Sequence, residues 1–174
     1  MSDPNRADQT NKAKKRRHPL RWVAALLVLL VAGWFFLQWQ LWGIQVTVTQ
    51  VSVHGLPDGF EGLRIVQLSD LHGHEYGQDS RDLLELVAEQ EPDLIAVTGD
   101  LIDQEGQLAM VPALARGLAA IAPTYYVTGN HEWAAADVRQ LKGVLAECGV
   151  TVLSNQYAAL ERNGDSLVLA GVDD

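Results

Sequence analysis

Three apolar runs break off in the same way, and that repetition limits the fold more than any other feature of the chain. "LRIVQLSD" (63–70), "LIAVTGD" (94–100) and "TYYVTGN" (124–130) each pass through a few bulky apolar residues and stop on a polar side chain. Runs this short, bounded by turn residues, read as strands of a sheet covered on its faces. Helix-like stretches separate them. "SRDLLELVAEQEPD" gathers Leu83, Leu84, Leu86 and Val87 on one face, with Asp79 or Ser80 to cap it and Pro92 to stop it. "QLAMVPALARGLAAI" puts Pro112 near a first turn, and "AAADVRQLKGVLAECG" closes on Gly149. Strand and helix alternating at this spacing predict an α/β layered sheet. "VTVLSN", "QYAALER" and "SLVLAGV" read as further short strands. Ahead of all of them, "IQVTVTQVSV" (Ile44–Val53) alternates with period two and reads as a strand, with a phase slip between Val48 and Val51 that predicts a bulge.

In open α/β sheets, ligands bind beyond the carboxyl ends of the strands. The endings "SDLH", "TGD" and "TGNHE" therefore bring Asp70, His72, Asp100, Asn130 and His131 to one rim. Carboxylate, imidazole and amide donors without sulfur suit Mn, Fe or Zn. Donors from separate strands, with an aspartate free to bridge, suit a two-metal site whose ions lie roughly 3.5–4 Å apart. Cys148 is the only cysteine, so the sequence allows neither an internal disulfide nor a thiolate cluster.

"LRIVQLSDLHG", "PDLIAVTGDLID" and "YYVTGNHEW" together resemble the first three signature blocks of the calcineurin-like metallophosphoesterases. The likeness covers about residues 44–174 and is greatest to a membrane-tethered bacterial branch, which includes exported phosphodiesterases and lipid-linked diphosphate hydrolases. It implies a layered αββα sandwich, present here in its N-terminal portion, preceded by one transmembrane helix. It also implies a pair of divalent metal ions and a phosphate-ester substrate, of either the phosphodiester or the phosphomonoester kind. By position, Asp70 and His72 would bind the first metal, Asp100 would bridge and Asn130 would bind the second. His131 would protonate or stabilise the leaving oxygen, and a metal-bound hydroxide would attack.

The chain also departs from the family pattern. Its histidines are His18, His54, His72, His74 and His131, so the family's later histidine and its Gly-His-x-His block are missing. Weak metal affinity and little activity are therefore expected of these residues alone. The rival reading is a non-catalytic, membrane-anchored metal-binding or interaction module. Many relatives place glycine two residues after the histidine; here Gly73 follows His72 directly, and His74 comes next and could reach substrate or metal, the alternative being an exposed loop histidine. Glu132 stands where the family commonly has aspartate and reads as a support to the ligands or as a surface residue. Asp103 reads as a cap or ion-pair partner, and Asp173 and Asp174 as neighbours of the rim.

Charge divides the chain in two. Residues 1–21 hold seven lysines and arginines against two aspartates, a net +5, and read as a basic cytoplasmic tail. The remainder holds six basic and twenty acidic residues, a net −14, which argues against a nucleic-acid-binding face. Residues 22–42 read as a retained signal-anchor helix. Trp22 to Leu37 is uncharged, and the run on to Trp42 reaches roughly 31 Å, enough for a bilayer core. Trp22 at one end, with Trp39 and Trp42 at the other, matches an aromatic belt. The basic flank would stay in the cytoplasm, leaving residues 44–174 on the far side of the plasma membrane.

Overall fold

A computed structural model describes residues 19–135 and 137–173. The chain divides into two compact units, 1–48 and 49–174.

Within the first unit, helix α1 (Pro19–Trp42) runs unbroken. Its segment Leu20–Leu37 has a mean hydropathy of 2.2 and buries none of its residues, so it is long and apolar enough to cross a membrane. The tail at 1–18, with His18, and the side chains of Trp39 and Trp42 lie outside the described residues, as does Asp174.

In the second unit, β1 (Ile65–Leu68), β2 (Leu94–Thr98), β3 (Thr124–Val127) and β4 (Thr151–Val152) form a parallel sheet in that order. Each parallel connection needs a crossover. Helices α2 (Arg81–Glu89), α3 (Val111–Ile121) and α5 (Val138–Glu147) supply them. Val97 of β2 and Tyr126 of β3 meet Leu114 and Leu118 of α3 and Leu145 of α5 around one small void. Ile95, Leu114 and Leu141 are essentially sealed from solvent. Each such side chain contributes roughly 2 kcal/mol through burial. A second, antiparallel sheet pairs β5 (Gln156–Arg162) with β6 (Asp165–Gly171). Beneath it, Leu94, Pro123 and Tyr125 of the parallel layer line a 260 Å³ cleft with Leu160 and Arg162 of β5. The predicted mixed α/β class is thus found, with its order of elements from β1 onward.

Several local expectations are not met. Ile44–Val53 forms no strand. Its alternate valines, Val46, Val48, Val51 and Val53, stay exposed, and no ladder partner is present among the described residues, so alternation alone does not make a strand there. The strand within "LRIVQLSD" is less buried than its composition suggests. It lies at the sheet edge, with Ile65 half exposed. Ser80 precedes α2 in a left-handed conformation and its side chain caps nothing; Asp79 is left-handed too. Asp137 does cap α5, accepting from the backbone N–H groups of Arg139 and Gln140.

Candidate metal centre

Strand register sets the rim. Leu68 pairs with Val97, and Thr98 with Val127, so β1, β2 and β3 release their chains at the same end of the sheet. The first loop is then laced to the second through the backbone. Asp70 N–H donates to Gly99 O at 3.3 Å, His72 N–H to Asp100 O at 2.9 Å and Gly73 N–H to Leu101 O at 2.8 Å. Asp70, His72 and Asp100 all adopt left-handed φ values, 56°, 50° and 53°. Such conformations cost non-glycine residues energy and persist where the surroundings impose them. The glycines of "TGD" and "TGN" allow the second and third loops to approach. A Cβ on Gly99 would stand 2.5 Å from Gly129 N, and one on Gly129 would overlap the Asp100 carboxylate.

The side chains meet above this backbone. Asp103 Oδ1 takes both imidazoles, His72 Nδ1 at 2.6 Å and His131 Nδ1 at 2.9 Å. The two rings stand edge to face with centroids 4.7 Å apart. His72 Nε2 lies 3.8 Å from Asp70 Oδ1. Two groups thus have ligand atoms within 4.8 Å of one another: Asp70, His72 and Asp100, and His72, Asp103 and His131. The hydrogen bond to Asp103 raises the His72 pKa above its ordinary value; partial burial opposes this, and the charges of Asp103, Asp100 and Asp70 reinforce it. Asn130 is exposed and opens the short helix α4 (Asn130–Ala135), directly before His131, whose backbone N–H donates to Asp100 Oδ1 at 3.0 Å. His74 packs edge to face on Tyr76 at 4.4 Å and belongs to neither group.

Glu132 is fully buried. Its carboxylate accepts from the N–H groups of Gly129, Asp100, Leu101 and Ile102, tying the third loop to the second. Of the two readings open for it in the sequence, the surface one is excluded. Burial, then the Glu132 charge, push the nearby Tyr126 hydroxyl above its ordinary pKa. Asp103 does form ion pairs, but its joining of two histidines was not legible. The only trace was its place three residues after Asp100 in "GDLID".

The donors fit divalent cations. Carboxylates and imidazoles are the ligands that Mn, Fe and Zn accept. Among the described residues no lysine or arginine pairs with Asp70, Asp100 or Asp103, so the acidic charge at the rim has no built-in counter-charge.

Comparison with known proteins gives the same direction. The family described as Calcineurin-like phosphoesterase matches residues 63–172. A transmembrane protein with metallophosphoesterase domain from Bos taurus is 36% identical over 138 residues, 74% of this chain and 31% of its own. The metallophosphoesterase YkuE of Bacillus subtilis is 32% identical over 75% of this chain and 48% of its own. The phosphodiesterase YaeI of Escherichia coli is 32% identical over 67% and 46%. The chain thus spans about a third to a half of the length of these relatives.

Proposed function

The chain belongs to the calcineurin-like phosphoesterase family, and from that premise we propose that it holds two divalent cations at the strand-end rim and hydrolyses phosphate esters there. The observation that carries this is the convergence of three carboxylates and two imidazoles with no cationic side chain among them.

Asp70 and His72 would hold one cation, Asn130 the other, and Asp100 both. Asp103 occupies His72 Nδ1, which leaves Nε2, on the Asp70 side, as the nitrogen for the metal. When bound, the cations supply Lewis-acid charge to a phosphoryl group and acidify water. His131 passes a proton to the leaving oxygen. Its Nδ1 is occupied by Asp103, which sets the ring's orientation and leaves Nε2 to face substrate. Glu132 keeps Asp100 and the Asn130–His131 turn at a fixed separation.

Helix α1 would anchor this domain to the plasma membrane, with the basic residues before it on the cytoplasmic side and the centre outside. That setting favours lipid-linked or cell-envelope phosphodiesters and phosphomonoesters as substrates.

The test is hydrolysis of bis(p-nitrophenyl) phosphate by the full chain in detergent, with and without Mn²⁺. Slow turnover that needs Mn²⁺ is expected. It should disappear in Asp100→Asn and fall at least tenfold in His131→Ala, as loss of an acid catalyst does. Turnover indifferent to Mn²⁺ or to Asp100→Asn would overturn the reading. Mn²⁺ binding without turnover would identify a non-catalytic binding module instead.

A further inference from the structure

Five successive backbone N–H groups in the loop after β2 donate to just two side chains. Those of Asp100, Leu101 and Ile102 go to Glu132. Those of Asp103, at 2.7 Å, and Gln104, at 3.0 Å, go to Oε1 of Gln107. Gln107 lies in the 3₁₀ segment Glu105–Met110, and its other amide atom reaches the first loop, Nε2 donating to His72 O at 3.2 Å. One planar amide therefore joins the backbone of Asp103 to that of His72, the two residues whose side chains meet at 2.6 Å.

The chain makes room for this amide at one place. Gly73 has a φ of 67°, and a Cβ there would overlap the Gln107 side-chain amide. The residue after His72 must therefore be bare for Gln107 to lie flat against it.

We propose that Gln107 is a positioning residue of the metal centre, presetting the His72–Asp103 contact by clamping the loops after β1 and β2 together; the proposal rests on the metal-centre reading above. A ligand set assembled in advance binds its ion more tightly than one the ion must gather, and loss of such outer support typically costs about 10- to 100-fold in affinity.

Two measurements on the full chain in detergent test it. One is backbone amide exchange of Asp103 and Gln104 in metal-free protein; the other is Mn²⁺ affinity by calorimetry. In Gln107→Ala these amides should exchange about tenfold faster or more, and Mn²⁺ should bind about tenfold more weakly. Gly73→Ala should reproduce both effects by displacing the amide. Ile95→Val, a mild core change remote from the loop, should lower thermal stability and leave both readouts alone. Unchanged exchange and unchanged affinity in Gln107→Ala, with wild type binding Mn²⁺, would overturn the role of Gln107 alone. Failure of wild type to bind Mn²⁺ would instead overturn the metal reading beneath it.

Discussion

Two polar clusters within residues 49–174 are built from similar groups yet differ in how their charges close. At the rim, Asp70 and Asp103 pair with histidines, and among the described residues no lysine or arginine pairs with Asp70, Asp100 or Asp103. Two residues past β6 and beside Thr128 at the end of β3, Asp173 faces a lysine. Lys142 Nζ donates to Asp173 Oδ2 at 2.9 Å and to Ser154 Oγ at 2.6 Å, while Thr128 Oγ1 donates to Asp173 Oδ1 at 2.9 Å. Trp133 Nε1 donates to Thr128 Oγ1, and its ring lies 5.2 Å from Lys142 Nζ. Burial disfavours the Asp173 carboxylate, but hydrogen bonds from Lys142, Thr128 and Ser154 outweigh it and hold its pKa below the ordinary value. The second cluster is complete within the chain, so its contribution is stability. The first would be neutralised by the proposed cations.

If this contrast is sound, each cluster should fail in its own way. The largest effect belongs to Asp100→Asn. At a Mn²⁺ concentration of 100 times Kd, wild type should gain about 2.7 kcal/mol of stability, and the variant essentially none, as read by thermal unfolding with and without the ion. Equal gains would place the ion elsewhere. Next, Lys142→Met leaves a largely buried carboxylate without its charge partner. It should cost about 2 kcal/mol in urea denaturation while leaving Mn²⁺ affinity unchanged. A change in affinity would show that the clusters are coupled.

A smaller effect lies in acid. Because the folded pKa of Asp173 is depressed, its stabilisation is present above the unfolded carboxylate pKa and is lost as pH falls through the folded one. Wild-type stability should therefore drop below about pH 4, and Asp173→Asn should flatten that decline. A steeper decline in the variant would contradict the assignment. The smallest effect is that of Trp133→Phe, which removes the bond to Thr128 and weakens the contact with Lys142. It should cost about 0.5 kcal/mol. A loss several times larger would mean that Trp133 has a further role.

What could be read from residues alone divides along a physical line. Short apolar runs and 3.6-residue spacing are local, so β1 to β6 and helices α2, α3 and α5 were legible. The strand-end rule then sent Asp70, His72, Asp100, Asn130 and His131 to a common edge without any knowledge of contacts. Pairing is not local. Ile44–Val53 has the pattern of a strand but needs a neighbour that none of the described residues supplies. Contacts across loops were hidden for the same reason. The burial of Glu132 beneath four backbone N–H groups, the two histidines on Asp103 and the amide of Gln107 over Gly73 depend on how three loops stack. Left-handed φ values at Asp70, His72 and Asp100 are only weakly signalled by residue type, since aspartate and histidine adopt them more readily than most residues but do so at few of their positions.

Whether the rim gathers its oxygen and nitrogen donors to hold metal is read from an anomalous difference map of a crystal grown with Mn²⁺. Peaks are expected at the strand ends, with Asp100 contacting both, Asp70 and His72 on one side and Asn130 on the other. A peak held by His72, Asp103 and His131 instead, or no peak at the rim, would contradict it.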